Sequence, residues 1–131
     1  MIKVVLDTNV LVSALWKRPS NASRLIDMIT SRQIIPCYNA AILVEYREVL
    51  SRPKFKFPSW DISNVLDQIK KEGIATLPQQ STIPFIDESD RKFYDTARTC
   101  GAYLITGNRR HYPDEGFILL PSEFFDLNLF T

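Results

Sequence analysis

Lys3-Val4-Val5-Leu6-Asp7-Thr8-Asn9-Val10-Leu11-Val12 decides how the rest of the chain is read. Val4-Val5-Leu6 is a short aliphatic run, and one carboxylate stands where it stops. Thr8 and Asn9 are polar, and apolar residues then resume. The stretch reads as a buried strand that carries Asp7 at its carboxyl end, with a helix directly after. In open α/β sheets, ligands bind in the crevice outside the carboxyl ends of the strands. Asp7 therefore has two readings: a group in such a crevice, or a cap for the helix that follows.

Moving outward, strand-like and helix-like segments alternate to the end of the chain. Val10 to Trp16 continues as an apolar helix, broken by Lys17-Arg18-Pro19-Ser20. Ser20 or Asn21 can cap a second helix to Thr30, with Ala22, Leu25, Ile26 and Ile29 at helical spacing. Ile34 to Tyr38 reads as a strand, although Pro36 cannot donate to a ladder. Asn39 caps a helix over Ala40 to Ser51, and Lys54 to Pro58 is a basic, aromatic loop. Ser59 to Glu72 is a fourth helix, Ile74 to Leu77 a weak strand and Pro78 to Pro84 linker-like. Asp87 to Cys100 is a fifth helix, stopped by Gly101. Ala102 to Thr106 is a buried strand, Gly107 to Gly116 a polar loop, Phe117 to Leu120 a last strand and Pro121 to Asp126 a terminal helix. Such alternation implies a parallel sheet covered on both faces.

The chain of 131 residues, 45% apolar and 24% charged, suits one globular domain over 1–131 with a full core. A net charge of +1 gives no global basic field, so a nucleic acid would have to be met by a local patch. Cys37 and Cys100 lack zinc or CxxC spacing and read as buried free thiols of a reducing compartment. No signal peptide and no membrane-length apolar run is evident, so a cytoplasmic location is expected.

Where the acids fall around their helices is more informative. At about 100° per residue, Glu45 lies about 40° from Val49, on the border of the stripe formed by Ile42, Tyr46, Val49 and Leu50. Glu48 lies about 100° from Val49 and reads as solvated. On the fifth helix Phe93, Tyr94, Ala97 and Cys100 fall within about 80° of Asp90, which is therefore aimed at the core. Asp95 projects about 140° away and reads as surface; Asp87 and Ser89 read as caps. A buried carboxylate must be paired, neutralised or bound to a cation. One salt bridge per acid is the plain solution. Three inward acids on three elements make a shared hard divalent ion the more economical one. Thr106-Gly107-Asn108 ends a further strand. Thr106 can fix the rotamer of an acid and Asn108 can offer an amide oxygen, or the pair Gly107-Asn108 is only a turn.

Four segments together resemble a known family. They are Asp7-Thr8-Asn9-Val10-Leu11, Leu43 to Arg52, Asp90 to Ala97, and Gly101 to Asn108. In this order and spacing they are similar to PIN-domain nucleases, in particular the small bacterial toxins of toxin–antitoxin pairs. The resemblance implies a three-layer α/β/α sandwich around a parallel sheet and Mg²⁺- or Mn²⁺-dependent hydrolysis of RNA, single-stranded or structured. It places the family's first three acids, all metal ligands, on Asp7, Glu45 and Asp90, with Thr8, Asn9 and Thr106 as supporting groups. The fourth acid position holds Asn108, which removes one negative charge from the cluster. The resemblance also implies a homodimer and an antitoxin partner.

Cations suited to a phosphate backbone follow two of these segments: Arg109 and Arg110 after Asn108, and Arg52, Lys54 and Lys56 after the Glu45 helix. Phe55 and Phe57 alternate with the lysines, a composition that suits single strands, or else they fold inward beneath a solvated loop. His111, the one histidine, has no triad-like neighbour in sequence and reads as a loop residue. Two other readings remain open. A haloacid-dehalogenase-like phosphatase would want a second Asp where Asn9 stands. A PIN-like domain with reduced catalysis would bind RNA or an antitoxin without cutting, which the Asn108 departure motivates. The apolar tail from Phe124 to Phe130 and the Trp16 region can cover the core or a partner.

Overall fold

The computed structural model describes residues 1–130. Five parallel strands form one sheet in the order β3-β2-β1-β4-β5. The strands are β1 (Lys3–Leu6), β2 (Ile35–Tyr38), β3 (Ile74–Ala75), β4 (Tyr103–Ile105) and β5 (Ile118–Leu119). The helices are α1 (Thr8–Trp16), α2 (Asn21–Thr30), α3 (Ala40–Leu50), α4 (Ser59–Glu72), α5 (Arg91–Cys100) and α6 (Pro121–Asp126). The sheet is parallel and covered on both faces, as the alternation implied, and the architecture is the three-layer α/β/α sandwich that the resemblance implied. Among the described residues no helix is long and apolar enough to cross a membrane.

β1 is central because every one of its aliphatic side chains is buried on a sheet covered from both faces: Val4, Val5 and Leu6 are essentially inaccessible. Its register with β4 pairs Leu6 with Ile105. The next residues in each strand, Asp7 and Thr106, therefore emerge side by side at the carboxyl edge. The Asp7 N–H extends the ladder by donating to the Ile105 carbonyl at 2.9 Å.

Pro36 is accommodated in an inner strand by direction. The Ile35 N–H donates toward β1, so the nitrogen of the next residue faces the β3 side. There β3 begins only opposite Cys37, and no ladder bond is lost. The chain enters β3 through Gly73, where any Cβ would lie 2.5 Å from the Pro36 carbonyl oxygen.

α5 packs across β1, β2 and β4, while α1 packs on α2 and α3, and α4 packs on α2 and α3. The caps follow the sequence. The Ser20 hydroxyl accepts from the Ser23 N–H, and Ser23 returns the bond. Asn39 Oδ1 accepts from the Ile42 N–H. α5 closes at Gly101, whose φ of +70° suits a residue without a Cβ.

Three expectations need correction. Asp87 to Asp90 is not α-helical: Asp87 accepts from both the amide and the hydroxyl of Ser89, which holds Glu88–Asp90 in a 3₁₀ turn before α5 begins. Asp95 is buried rather than surface. The segment Gln79 to Ile83 lies along α5 as a strap, with the Ser81 N–H on Asp95 Oδ2, the Gln79 N–H on Thr99 and the Arg91 guanidinium on the carbonyls of Ser81 and Ile83. Helical periodicity locates the core face of α5 and is silent about a loop that covers the opposite side. Cys37 and Cys100 are not free thiols but a disulfide, because the packing of α5 on β2 brings the end of the helix to the strand.

Candidate functional site

Asp7 occupies the N-cap position of α1, yet its side chain makes no capping hydrogen bond. Its carboxylate turns across the sheet edge instead. Thr106 Oγ1 donates to Asp7 Oδ2 at 2.8 Å, Tyr112 Oη at 2.9 Å and Asn9 Nδ2 at 3.4 Å. Three donors on one oxygen fix the rotamer of this buried acid. Burial raises the Asp7 pKa and the Glu45 charge adds to the rise, while the Thr106 and Tyr112 hydrogen bonds oppose it.

Each neighbour of Asp7 is itself held. Asn9 Oδ1 accepts from the Gly107 N–H at 2.9 Å, tying the start of α1 to the loop after β4. Thr106 Oγ1 also accepts from the Asn108 N–H at 3.0 Å. Tyr112 is buried, and burial together with the charges of Asp7 and Asp90 raises its pKa, so its phenol stays a donor. Tyr46 on α3 donates to the Leu6 carbonyl at 2.5 Å, pinning that helix beneath the strand end.

α3 brings Glu45 to the rim, where Thr8 Oγ1 donates to Oε2 and Lys92 Nζ lies 2.6 Å from Oε1. The 3₁₀ turn brings in Asp90, buried with its Oδ2 lacking any hydrogen-bond donor. His111 Nδ1 stands 3.4 Å from that oxygen, near enough for charge but not aligned as a hydrogen bond. Desolvation pushes Asp90 up to about 6; the charges of Asp7 and Asp87 push the same way and His111 pulls back.

The structure thus brings Asp7, Glu45 and Asp90 within electrostatic reach of one another, with Thr8, Asn9 and Thr106 bonded to them. Among the described residues, no three His, Cys, Asp or Glu side chains stand arranged to hold one ion. Asn108 is exposed and touches the cluster only through its backbone N–H on Thr106. Arg109 is engaged by Glu123 and, at 3.9 Å, by Asp114. Arg110 is exposed and has no side-chain partner among the described residues. Arg52 pairs with Glu48 at 3.1 Å, and Lys54 Nζ sits 5.1 Å above the Phe55 ring. Both follow the far end of α3, Arg52 about 10 Å along the helix axis from Glu45.

Three residues escaped the sequence reading. Lys92 stands in the first turn of α5, just after the 3₁₀ turn, and its long stem reaches Glu45 on another helix, a meeting that the periodicity of α5 does not encode. Tyr112 and His111 lie in a loop with no periodicity to read. The available signal was nearness in sequence to Thr106.

No solved structure matches the chain significantly. An uncharacterized protein of Methanocaldococcus jannaschii is similar, at 29% identity over 111 residues that cover 82% of this chain and 72% of the relative. The family model described as the PIN domain matches residues 3–110, a span that includes Asp7, Glu45, Asp90 and Thr106. This chain belongs to the PIN-domain family.

Proposed function

We propose that this protein is a divalent-metal-dependent ribonuclease whose reaction centre is the carboxylate cluster at the β1–β4 edge. Family membership supports a nuclease; PIN-domain nucleases generally use divalent metals and act on RNA or DNA. The observation that carries the reading is the buried Asp90 Oδ2, which has no hydrogen-bond donor although it lies in the field of Asp7. An orphaned carboxylate oxygen beside a second buried carboxylate is costly unless a cation joins them.

The donor set fits a hard ion. Asp7, Asp90 and Glu45 offer oxygens only, the ligand type that Mg²⁺ and Mn²⁺ prefer. Asp7 and Asp90 would hold the ion, with Glu45 joining directly or through water. The bound ion supplies Lewis-acid activation of water and stabilises the leaving oxygen. The chain's own residues do the rest. Thr106, Tyr112 and Asn9 orient Asp7. Thr8 and Lys92 orient Glu45. Lys92 and Arg110 lend positive charge to the approach of a phosphodiester. Arg52 and Lys54 extend that approach along the surface, while Arg109 is held by Glu123.

A second reading has its own observation. Glu45 already carries the Lys92 ammonium, and Asn108 adds no charge, which suits a domain that binds RNA without cutting. The phosphatase reading gives way to the family match, and Asn9, where that class wants an acid, is a structural tie. A toxin role, an antitoxin partner and a homodimer come with the proposal through the family resemblance.

Cleavage of RNA is the test, run with Mg²⁺ or Mn²⁺ and then with chelator. The wild type should cut only with the ion. Asp7→Asn should lose more than about 100-fold, the upper end of what residues behind the metal ligands cost. Undiminished cleavage by Asp7→Asn removes the cluster from the chemistry. Ion and RNA binding without cleavage favours the second reading.

A further inference from the structure

Trp16, Phe55 and Phe57 form a three-ring cluster that the candidate site does not use. Phe55 and Phe57 stack on each other at 5.4 Å, inclined by 8°. Trp16 meets both edge to face, at 5.6 and 6.1 Å with interplanar angles of 85° and 90°. Two edge contacts fix the indole without burying it: Trp16 remains 63% exposed. Its ring lines a groove with Leu120 and Pro121.

The two segments that carry the rings hold charge of one sign. Residues 13–20 and 51–58 contain Lys17, Arg18, Arg52, Lys54 and Lys56 and no acid. Arg18 is engaged by Asp61 and Arg52 by Glu48. Lys17, Lys54 and Lys56 are exposed and have no acidic partner among the described residues. A fixed, open aromatic face flanked by ammonium groups without acidic partners matches a base with its phosphates, the combination that single strands seek. An apolar protein surface would leave those charges unmatched.

We infer that Trp16, set by Phe55 and Phe57 and flanked by Lys17, Lys54 and Lys56, is a base-stacking platform for single-stranded nucleic acid. The inference rests on the nuclease reading for its substrate class. α1 connects the two places: Thr8 stands at the carboxylate cluster and Trp16 at the other end of the helix. That is about 12 Å along the axis, within reach of one short single strand.

Trp60→Phe leaves Trp16 as the sole tryptophan, and adding Asp7→Asn keeps the strand uncut. Titration of this protein with an oligouridylate should quench the Trp16 emission in step with the anisotropy of a labelled strand. Trp16→Ala in the Asp7→Asn protein should weaken binding about tenfold, within the range of one stacked base. Lys54→Ala with Lys56→Ala should flatten the salt dependence by about 0.7 in log–log slope for each phosphate that no longer meets a lysine. Strand binding that leaves Trp16 emission unchanged overturns the platform, as does no strand binding at all. If Trp16→Ala instead turns a dimer into a monomer with oligouridylate affinity intact, the face belongs to a second copy and the platform is wrong. Quenching without any cleavage by the wild type keeps the platform and overturns the nuclease reading. Cleavage without quenching does the reverse.

Discussion

Lys92 Nζ lies 2.6 Å from Glu45 Oε1, so one of the three inward carboxylates already has a counter-charge. A divalent ion drawing on Glu45 must compete with that ammonium. Lys92→Gln should therefore tighten Mn²⁺ binding about two- to fivefold, the span of a partly exposed pair worth up to about 1 kcal/mol. Calorimetric titration measures it. Weaker binding in the variant would show that Lys92 supports Glu45 rather than opposing the ion.

Asp90 is pushed up to about 6, by burial first and the Asp7 charge second. The folded protein therefore holds this proton more tightly than the unfolded chain, where the value is near 3.8. Above pH 6 the charged form works fully against the fold; the penalty is relieved as pH falls from about 6 toward 4. Without divalent ions, urea midpoints at pH 5 and 7 should differ in favour of pH 5 relative to the same pair for Asp90→Asn. Identical pH dependence in both proteins contradicts this.

Tyr112 gives Asp7 one of its three donors. Tyr112→Phe keeps the ring and removes that bond, which should cost about 1.5–3 kcal/mol, the range for hydrogen bonds to charged groups. Chemical denaturation near pH 8 reads the loss. A change below about 0.5 kcal/mol would mean that Asp7 finds another donor.

Arg109 and Arg110 are adjacent but differently placed. Arg109 is tied to Glu123, whose other oxygen accepts from the Leu120 N–H. Arg110 has no such tie. Arg110→Ala should weaken RNA binding and reduce its salt slope by about 0.7. Arg109→Ala should act mainly on the stability of the loop and α6. Equal salt slopes for the two variants would put both guanidinium groups on the phosphates.

Asp95 anchors the strap over α5 through the Ser81 N–H. Asp95→Ala should cost about 1 kcal/mol and speed hydrogen exchange at the Ser81 amide, with the amides of β1 unaffected. Unchanged Ser81 exchange would show that Arg91 and Thr99 suffice.

The sheet and its covering helices were legible because a buried parallel strand needs a continuous aliphatic run, as in Val4 to Leu6 and Leu104-Ile105. Helical geometry found Glu45 and Asp90, since an acid on an apolar stripe stands out at about 100° per residue. The reading failed where the deciding interaction came from another part of the chain. Nothing around Asp95 in sequence announces the strap. Lys92 and Tyr112 act across 47 and 105 residues of chain, on Glu45 and Asp7. Asp7 shows the same limit: its cap position was evident locally, while the turn of its carboxylate toward β4 was decided by Thr106.

Asn9 bears on what this corner can evolve into. Its amide accepts from Gly107 through oxygen and faces Asp7 through nitrogen. An aspartate there would keep the acceptor for the Gly107 N–H and lose one of the three donors on Asp7, leaving Thr106 and Tyr112 to hold it beside a like charge. Asn9→Asp, one substitution, would therefore give an Asp-x-Asp sequence at the expense of a donor to Asp7. One amide thus braces the loop and steadies the buried acid at once.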